Sequence, residues 1–297
     1  MQVPASQSAS SLLLSTRPPH RFSSGCDTLD ALVTPRTFSS TAYAAPQGPA
    51  EQGLARGAVL ELLGPPGIGK TRAQLGFVLA ERFKKGGGEV LVIDADGALL
   101  PSLISDTAAL YAQHNGYHDS DVQAVLEGVR YRRVDSAWLL IAFFRTLESW
   151  LEAHPKVNLV IVDSLSAHLR PTLDSATRTL IAETVRNALS VVCASGTVSV
   201  ILSTHLSLKL FGPDQRPSSW SRDAEALLVP QIAERWIPQD VNAWRVLLYY
   251  DERGERLAST LSSPEPTVAT RASFAMDALG PCDVPEAPPL ENGSSPS

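Results

Sequence analysis

Gly64-Pro65-Pro66-Gly67-Ile68-Gly69-Lys70-Thr71 is the stretch on which the reading of the fold turns. It satisfies G-x-x-x-x-G-K-[S/T] at every fixed position. Glycines let the main chain wrap closely around phosphate oxygens, so that successive N–H groups point inward. The helix after the loop then presents its positive end to the anion. On this reading all eight residues form a nucleotide-binding P-loop. Lys70 reaches the β- and γ-phosphates of ATP, and the Thr71 hydroxyl ligates Mg²⁺. Local context agrees: the apolar run Ala58–Leu63 precedes the loop, and Thr71–Phe83 carries Leu75, Val78, Leu79 and Phe83 at helical spacing.

Outward from the loop, strands alternate with helices. Glu89–Ile93, Val129–Val134, Val157–Val162 and Val198–Leu202 read as strands. Pro101–Gln113, Ser136–Ala153 and Ser175–Ala194 read as helices. Such alternation predicts an α/β fold with a mainly parallel sheet flanked by helices. Trp244–Tyr250 and Arg256–Leu261 flank the turn Asp251-Glu252-Arg253-Gly254 and predict an antiparallel C-terminal hairpin at one sheet edge. The organisation expected is a tail over 1–21, one domain over 22–280 with a loop insertion at 34–52, and a Pro/Ser/Gly tail over 281–297.

Acids at strand ends are the next candidates. Leu159-Val160-Ile161-Val162-Asp163 is an apolar strand closed by a carboxylate, and in a P-loop protein such an Asp sits beside the Mg²⁺. Thr71 and Asp163 are therefore the metal candidates. Val90–Ile93 is followed by Asp94-Ala95-Asp96-Gly97, where an acid either polarises the water attacking the γ-phosphate or only caps the next helix. Ser203-Thr204-His205 closes another strand, and His205 is either a γ-phosphate sensor or a structural histidine.

Composition bounds the rest. Hydrophobic residues make up 44% of the 297 residues and charged residues 19%, enough apolar material for a core. The net charge of −6 argues against strong binding to DNA by this chain alone. No run approaches the roughly 18 apolar residues that a membrane helix needs, so no membrane partner is expected. Cys26, Cys193 and Cys282 show no metal-ligand spacing, which fits a reducing compartment. Residues 1–26 are Ser-rich, lack Asp and Glu and contain Arg17 and Arg21. They read either as a tail or as a mitochondrial transit peptide.

In combination these motifs resemble the RecA family, specifically the eukaryotic recombinase paralogs of the Rad/Dmc group. Phe22–Leu32 looks like the family's entry motif. Gly57–Thr71, Val90–Gly97, Lys156–Asp163 and Val198–His205 look like its successive strand ends. Arg245–Pro264 looks like its terminal hairpin and Ala272–Ala278 like its last strand. Ala226–Pro230, Arg235-Trp236 and Arg256-Leu257-Ala258 look most like the C-type paralog. Asp96, Leu147-Glu148-Ser149 and Asp163–Ala167 are similar to the short X-ray-repair cross-complementing paralog.

The resemblance implies a RecA-like P-loop NTPase core in which Asp96 and His205 occupy the catalytic positions. The family normally has Glu where Asp96 stands and Gln where His205 stands. Neither a helix-hairpin-helix domain nor a convincing polymerisation motif precedes the core; Phe38-Ser39-Ser40-Thr41 imitates one poorly. The resemblance therefore implies an ATP-binding accessory paralog with weak or slow hydrolysis, acting in nuclear homologous recombination repair. Its implied partners are other recombinase paralogs, the main recombinase, and single-stranded or branched DNA. Leu165–Leu173 and Leu206–Leu228 occupy the positions of the family's two DNA-binding loops. Arg170, Lys209, Arg216 and Arg222 are the DNA-binding candidates, with ordinary flexible loops as the alternative. A RecA-like ATPase outside recombination, a subunit that uses nucleotide only to stabilise an interface, and a small-molecule kinase are the competing readings. No lid-like Arg cluster supports the last.

Overall fold

The computed structural model describes residues 20–36, 52–168, 174–213, 216, 225–230 and 236–284. Strand β1 (Arg21–Phe22) and helix α1 (Asp27–Ala31) lead to β2 (Leu54–Ala55), which pairs back on β1. Then come β3 (Val59–Gly64), α2 (Lys70–Phe83), β4 (Glu89–Asp94), α3 (Pro101–Asn115), α4 (Asp119–Glu127) and β5 (Val129–Arg133). Next are helix α5 (Ala137–Ala153), β6 (Val157–Asp163), α6 (Ser175–Ala194), β7 (Ser199–Phe211) and β8 (Glu225–Pro230). The chain closes with β9 (Ala243–Tyr250), β10 (Arg256–Ser262), β11 (Arg271–Met276) and β12 (Pro281–Asp283).

Among the described residues the main sheet runs β12-β11-β10-β9-β3-β7-β6-β4-β5, with β8 paired to β7 off that path. From β9 to β5 every pairing is parallel. From β9 to β12 every pairing is antiparallel. The α/β fold read from the sequence is therefore present, with its antiparallel C-terminal hairpin.

Strand side chains alternate faces, and the two cores follow that period. Leu60, Leu62, Val90, Val92, Leu159, Ile161 and Ile201 pack on one face with Ala73, Leu75, Phe77 and Val78 of α2. Val59, Leu91, Ile93, Val160, Val162, Val200 and Leu202 pack on the other with Leu140, Phe144, Ile181, Val185 and Leu189 of α5 and α6. A sheet covered on both sides needs apolar residues at nearly every strand position, and Val157–Asp163 is buried along its whole length.

Two segments differ from the sequence reading. Pro281–Asp283, expected in the terminal tail, is a strand: it pairs with β11, and the Asp283 carboxylate accepts from the Asp27 and Thr28 N–H groups at the start of α1. Three residues of weak local preference are held by those long-range bonds. Similarly, Arg21, expected in the leading tail, pairs with Ala55. The second change concerns Leu206–Leu228. Strand β7 runs on past Leu202 to Phe211 and pairs antiparallel with β8, making a ribbon where a loop was expected. The expected loop insertion falls largely on 37–51, outside the described residues.

Candidate functional site

Parallel strands present their carboxyl ends on one edge, and the loops there form the usual ligand crevice of an α/β sheet. Strand β3 lies between β9 and β7, with β6 and β4 beyond β7. This order brings the P-loop, His205, Asp163 and Asp96 to the same edge.

The loop itself turns on two glycines in the left-handed region, Gly67 at φ 81° and Gly69 at φ 113°. A Cβ on Gly67 would meet nothing within 4 Å, so the loop is open to solvent there. Gly69 is the N-cap of α2 and supplies no side-chain cap. The first-turn amides of α2 therefore depend on some other acceptor. Lys70 Nζ is buried and donates to Gly64 O at 2.8 Å and Pro65 O at 3.0 Å. Burial pushes its pKa down to about 8, opposed by the charges of Asp163 and Asp96. A buried ammonium resting on carbonyl oxygens is suited to an anionic ligand, which would raise its pKa back toward the ordinary value. The residues present fit a nucleoside triphosphate.

Asp163 is almost completely buried at the end of β6. Thr71 donates its hydroxyl to Oδ2 at 2.7 Å, and Ser203 donates to Oδ1 at 2.6 Å. Desolvation raises the Asp163 pKa, and the Ser203 and Thr71 hydrogen bonds oppose that rise. Among the described residues no group of three or more His, Cys, Asp or Glu is placed to hold a metal. A hydroxyl and one carboxylate side by side fit Mg²⁺, which takes few protein ligands and completes its shell with water and phosphate oxygens.

Asp96 and His205 stand at the open side of the same edge. His205 pairs in register with Gly64, the first P-loop residue. Its backbone N–H donates to Ser166 Oγ at 2.9 Å, which anchors the strand end. The imidazole Nε2 lies 3.6 Å from Asp96 Oδ2, beyond hydrogen-bond length. Nδ1 is buried without a partner in the described structure. Burial, and after it the nearby Lys70 charge, lowers the His205 pKa and favours neutral imidazole. The Asp96 side chain is 46% exposed.

Asp94 takes a different place from Asp96. It is fully buried; its carboxylate accepts from Gly97 N–H (2.6 Å) and Tyr131 Oη (2.9 Å) and forms an ion pair with Arg133 Nη1 at 3.0 Å, which also donates to the Asp94 main-chain oxygen at 3.2 Å. Those bonds organise the turn after β4 and bind β5 to it, well ahead of α3.

Lys209 is exposed on the β7–β8 ribbon, and Arg216 is exposed in the segment that joins its strands. Four residues beyond His205 at about 3.3 Å each place Lys209 roughly 13 Å from the crevice. Arg170 and Arg222 lie outside the described residues. Ser203, which holds Asp163, was not singled out by the sequence reading. Its signal is one of register, since the Val162↔Leu202 pairing brings the next residues, Asp163 and Ser203, together.

No protein-family model matches the chain. The DNA repair protein RAD51 homolog 3 of Cricetulus griseus is 27% identical over 229 residues, covering 71% of this chain and 59% of that protein. Its namesake in Dictyostelium discoideum is 24% identical over 222 residues, covering 69% of this chain and 55% of that protein. The chain thus spans a little over half the length of the curated relatives it matches. The similarity is to the RecA-family recombinase paralogs, on the side of the C-type, and the α/β architecture is of the RecA-like kind.

Proposed function

We propose that this chain, similar to the C-type recombinase paralogs, binds Mg·ATP on Gly64–Thr71 and serves homologous recombination repair as an accessory subunit. The observation that carries the reading is the convergence of Lys70, Thr71 and Asp163 on one sheet edge, with the Thr71–Asp163 hydrogen bond at 2.7 Å. Bound Mg²⁺ would supply charge neutralisation at the phosphates. Lys70 would hold the β- and γ-phosphates, Thr71 and Asp163 would hold the ion, and the P-loop amides would orient the phosphate chain. Asp96 faces solvent where it could orient an attacking water, and a neutral His205 could donate to the γ-phosphate.

Turnover on this reading is slow. Asp96 stands where the family normally has Glu, a carboxylate longer by one CH₂, and a misplacement near 1 Å in such a group costs about a hundredfold. A good nucleotide grip with a loosely held acid suits a subunit of a paralog complex that assists the main recombinase on single-stranded or branched DNA. Contact with DNA falls to the ribbon and its joining segment, through Lys209 and Arg216, together with Arg170 and Arg222. A nuclear location accords with this role; a mitochondrial one remains the alternative through residues 1–26.

Nucleotide titration of Lys70→Ala tests the binding reading: affinity for Mg·ATP should fall by more than about tenfold, and equal affinity in the two proteins would remove it. Electron microscopy with ATP and single-stranded DNA tests the accessory reading. Regular filaments made by this chain alone would point to a recombinase in its own right. Any DNA binding should weaken steeply with salt, because phosphate neutralisation releases counterions.

A further inference from the structure

The C-terminal hairpin holds the P-loop from outside. Tyr250, the last residue of β9, donates its hydroxyl to Gly67 O at 3.2 Å. Arg256, the first residue of β10, donates Nε to Ile68 O at 3.2 Å. These two residues pair across the hairpin, and the guanidinium carbon lies 5.4 Å from the centre of the Tyr250 ring. That distance is within the cation–π range. Strand β11 makes a third contact: a Cβ on Gly69 would collide with Met276 Cε.

Peptide geometry gives these contacts a consequence. A trans peptide unit is planar, and its C=O and N–H point in opposite directions. Gly67 O shares a plane with the Ile68 N–H, and Ile68 O with the Gly69 N–H. Drawing the two carbonyls outward turns the two amides toward the inner side of the loop. A charged donor also polarises the peptide it binds and strengthens the opposite N–H as a donor. The loop needs such help. Gly67 and Gly69 are free to leave their left-handed conformations at little steric cost, and the internal Ile68 N–H to Pro65 O bond is long at 3.5 Å.

We propose that Tyr250 and Arg256 are positioning residues that preorganise the Ile68 and Gly69 amides for the anionic oxygens of the nucleotide. The inference rests on the reading of Gly64–Thr71 as the Mg·ATP site. Neither residue touches the reacting atoms; they act through the loop.

The test uses the full chain with Tyr250→Phe, Arg256→Ala and Arg256→Lys. Mg·ATP affinity, the melting temperature without nucleotide, and hydrogen exchange of the P-loop amides without nucleotide are measured for each. Loss of one hydrogen bond should weaken Mg·ATP binding about threefold in Tyr250→Phe, and loss of the charged donor about tenfold in Arg256→Ala. Arg256→Lys keeps a charged donor and should recover part of that loss. Exchange of the Ile68 and Gly69 amides should quicken in Tyr250→Phe and Arg256→Ala, with exchange in the sheet unchanged. Wild-type affinity and unchanged loop exchange in these two variants would overturn the proposal. So would a fall in melting temperature with faster exchange throughout the sheet, which would make the pair a stabiliser of the fold. Failure of the wild-type chain itself to bind Mg·ATP would remove the functional reading, and the exchange measurement would still decide whether the hairpin holds the loop.

Discussion

Asp163 and Asp96 lie on neighbouring strand ends of one sheet, and the structure treats them in opposite ways. Asp163 closes β6 between β4 and β7, so both its oxygens meet hydroxyl donors from adjacent elements. Asp96 comes two residues after β4 ends, in a turn whose own N–H bonds reach back to Asp163 O. Its carboxylate faces water and lies 3.6 Å from His205. A group fixed inside the sheet can serve a ligand of fixed geometry. A group on the turn beyond it has freedom that a water-positioning role would have to lose. On the proposed reading, the contrast sets nucleotide grip, whose residues the resting fold already brings together, against turnover, whose acid it leaves free.

The contrast is most directly broken by comparing Lys70→Met with Asp96→Ala. The first should lower Mg·ATP affinity by about tenfold to a hundredfold, as loss of a charged hydrogen-bonding partner does. The second, an exposed side chain outside the grip, should stay within about twofold. A titration in which Asp96→Ala loses as much as Lys70→Met would erase the distinction.

Support for the ion can be sharpened at Ser203. Removal of a hydrogen bond that orients a metal-holding carboxylate costs about tenfold or more in metal affinity. Ser203→Ala should therefore raise the Mg²⁺ concentration needed for half-maximal ATP binding by about tenfold, and Ser203→Thr should restore it. An unchanged Mg²⁺ requirement would mean that Asp163 is held well enough without Ser203.

On the other side, Asp96→Glu extends the carboxylate by one CH₂. A rise in ATP turnover of a few-fold, with affinity unchanged, is expected if reach limits the reaction. Turnover that stays level or falls would assign the limit to His205 instead.

A separate consequence of the buried grip concerns stability against pH. Burial holds Lys70 at about 8 in the folded chain, below its ordinary value of 10.5. Between those values the unfolded chain binds more protons, so stability should rise with pH across that window. Below pH 8 the buried charge opposes folding in full. Lys70→Met, which removes the buried cation, should be the more stable protein at pH 7 and should lose this dependence. Denaturant midpoints from pH 7 to pH 10 measure it, and parallel curves for the two proteins would contradict the assignment.

Local pattern alone determined much of this molecule. The P-loop is legible because its spacing serves a short-range geometry. Helix α6 is legible to the residue, Ser175–Ala194, because Leu180, Ile181, Val185, Leu189 and Val192 keep helical spacing behind the Asp174 cap. The β9–β10 hairpin is legible from its turn. Tertiary structure decided what depends on partners distant in sequence. Helix α4 is hard to read because it is only nine residues long: Val122, Val125 and Leu126 keep helical spacing for a single turn, and it is their packing on the core that fixes the helix. Strand β12 exists through β11 and the start of α1. Ser203 meets Asp163 only because β6 and β7 are neighbours, and Tyr250 and Arg256 reach the P-loop only because β9 lies beside β3. Short-range hydrogen bonding and side-chain period are written in consecutive residues, whereas strand order and register are set by which faces bury together, and no local stretch carries that.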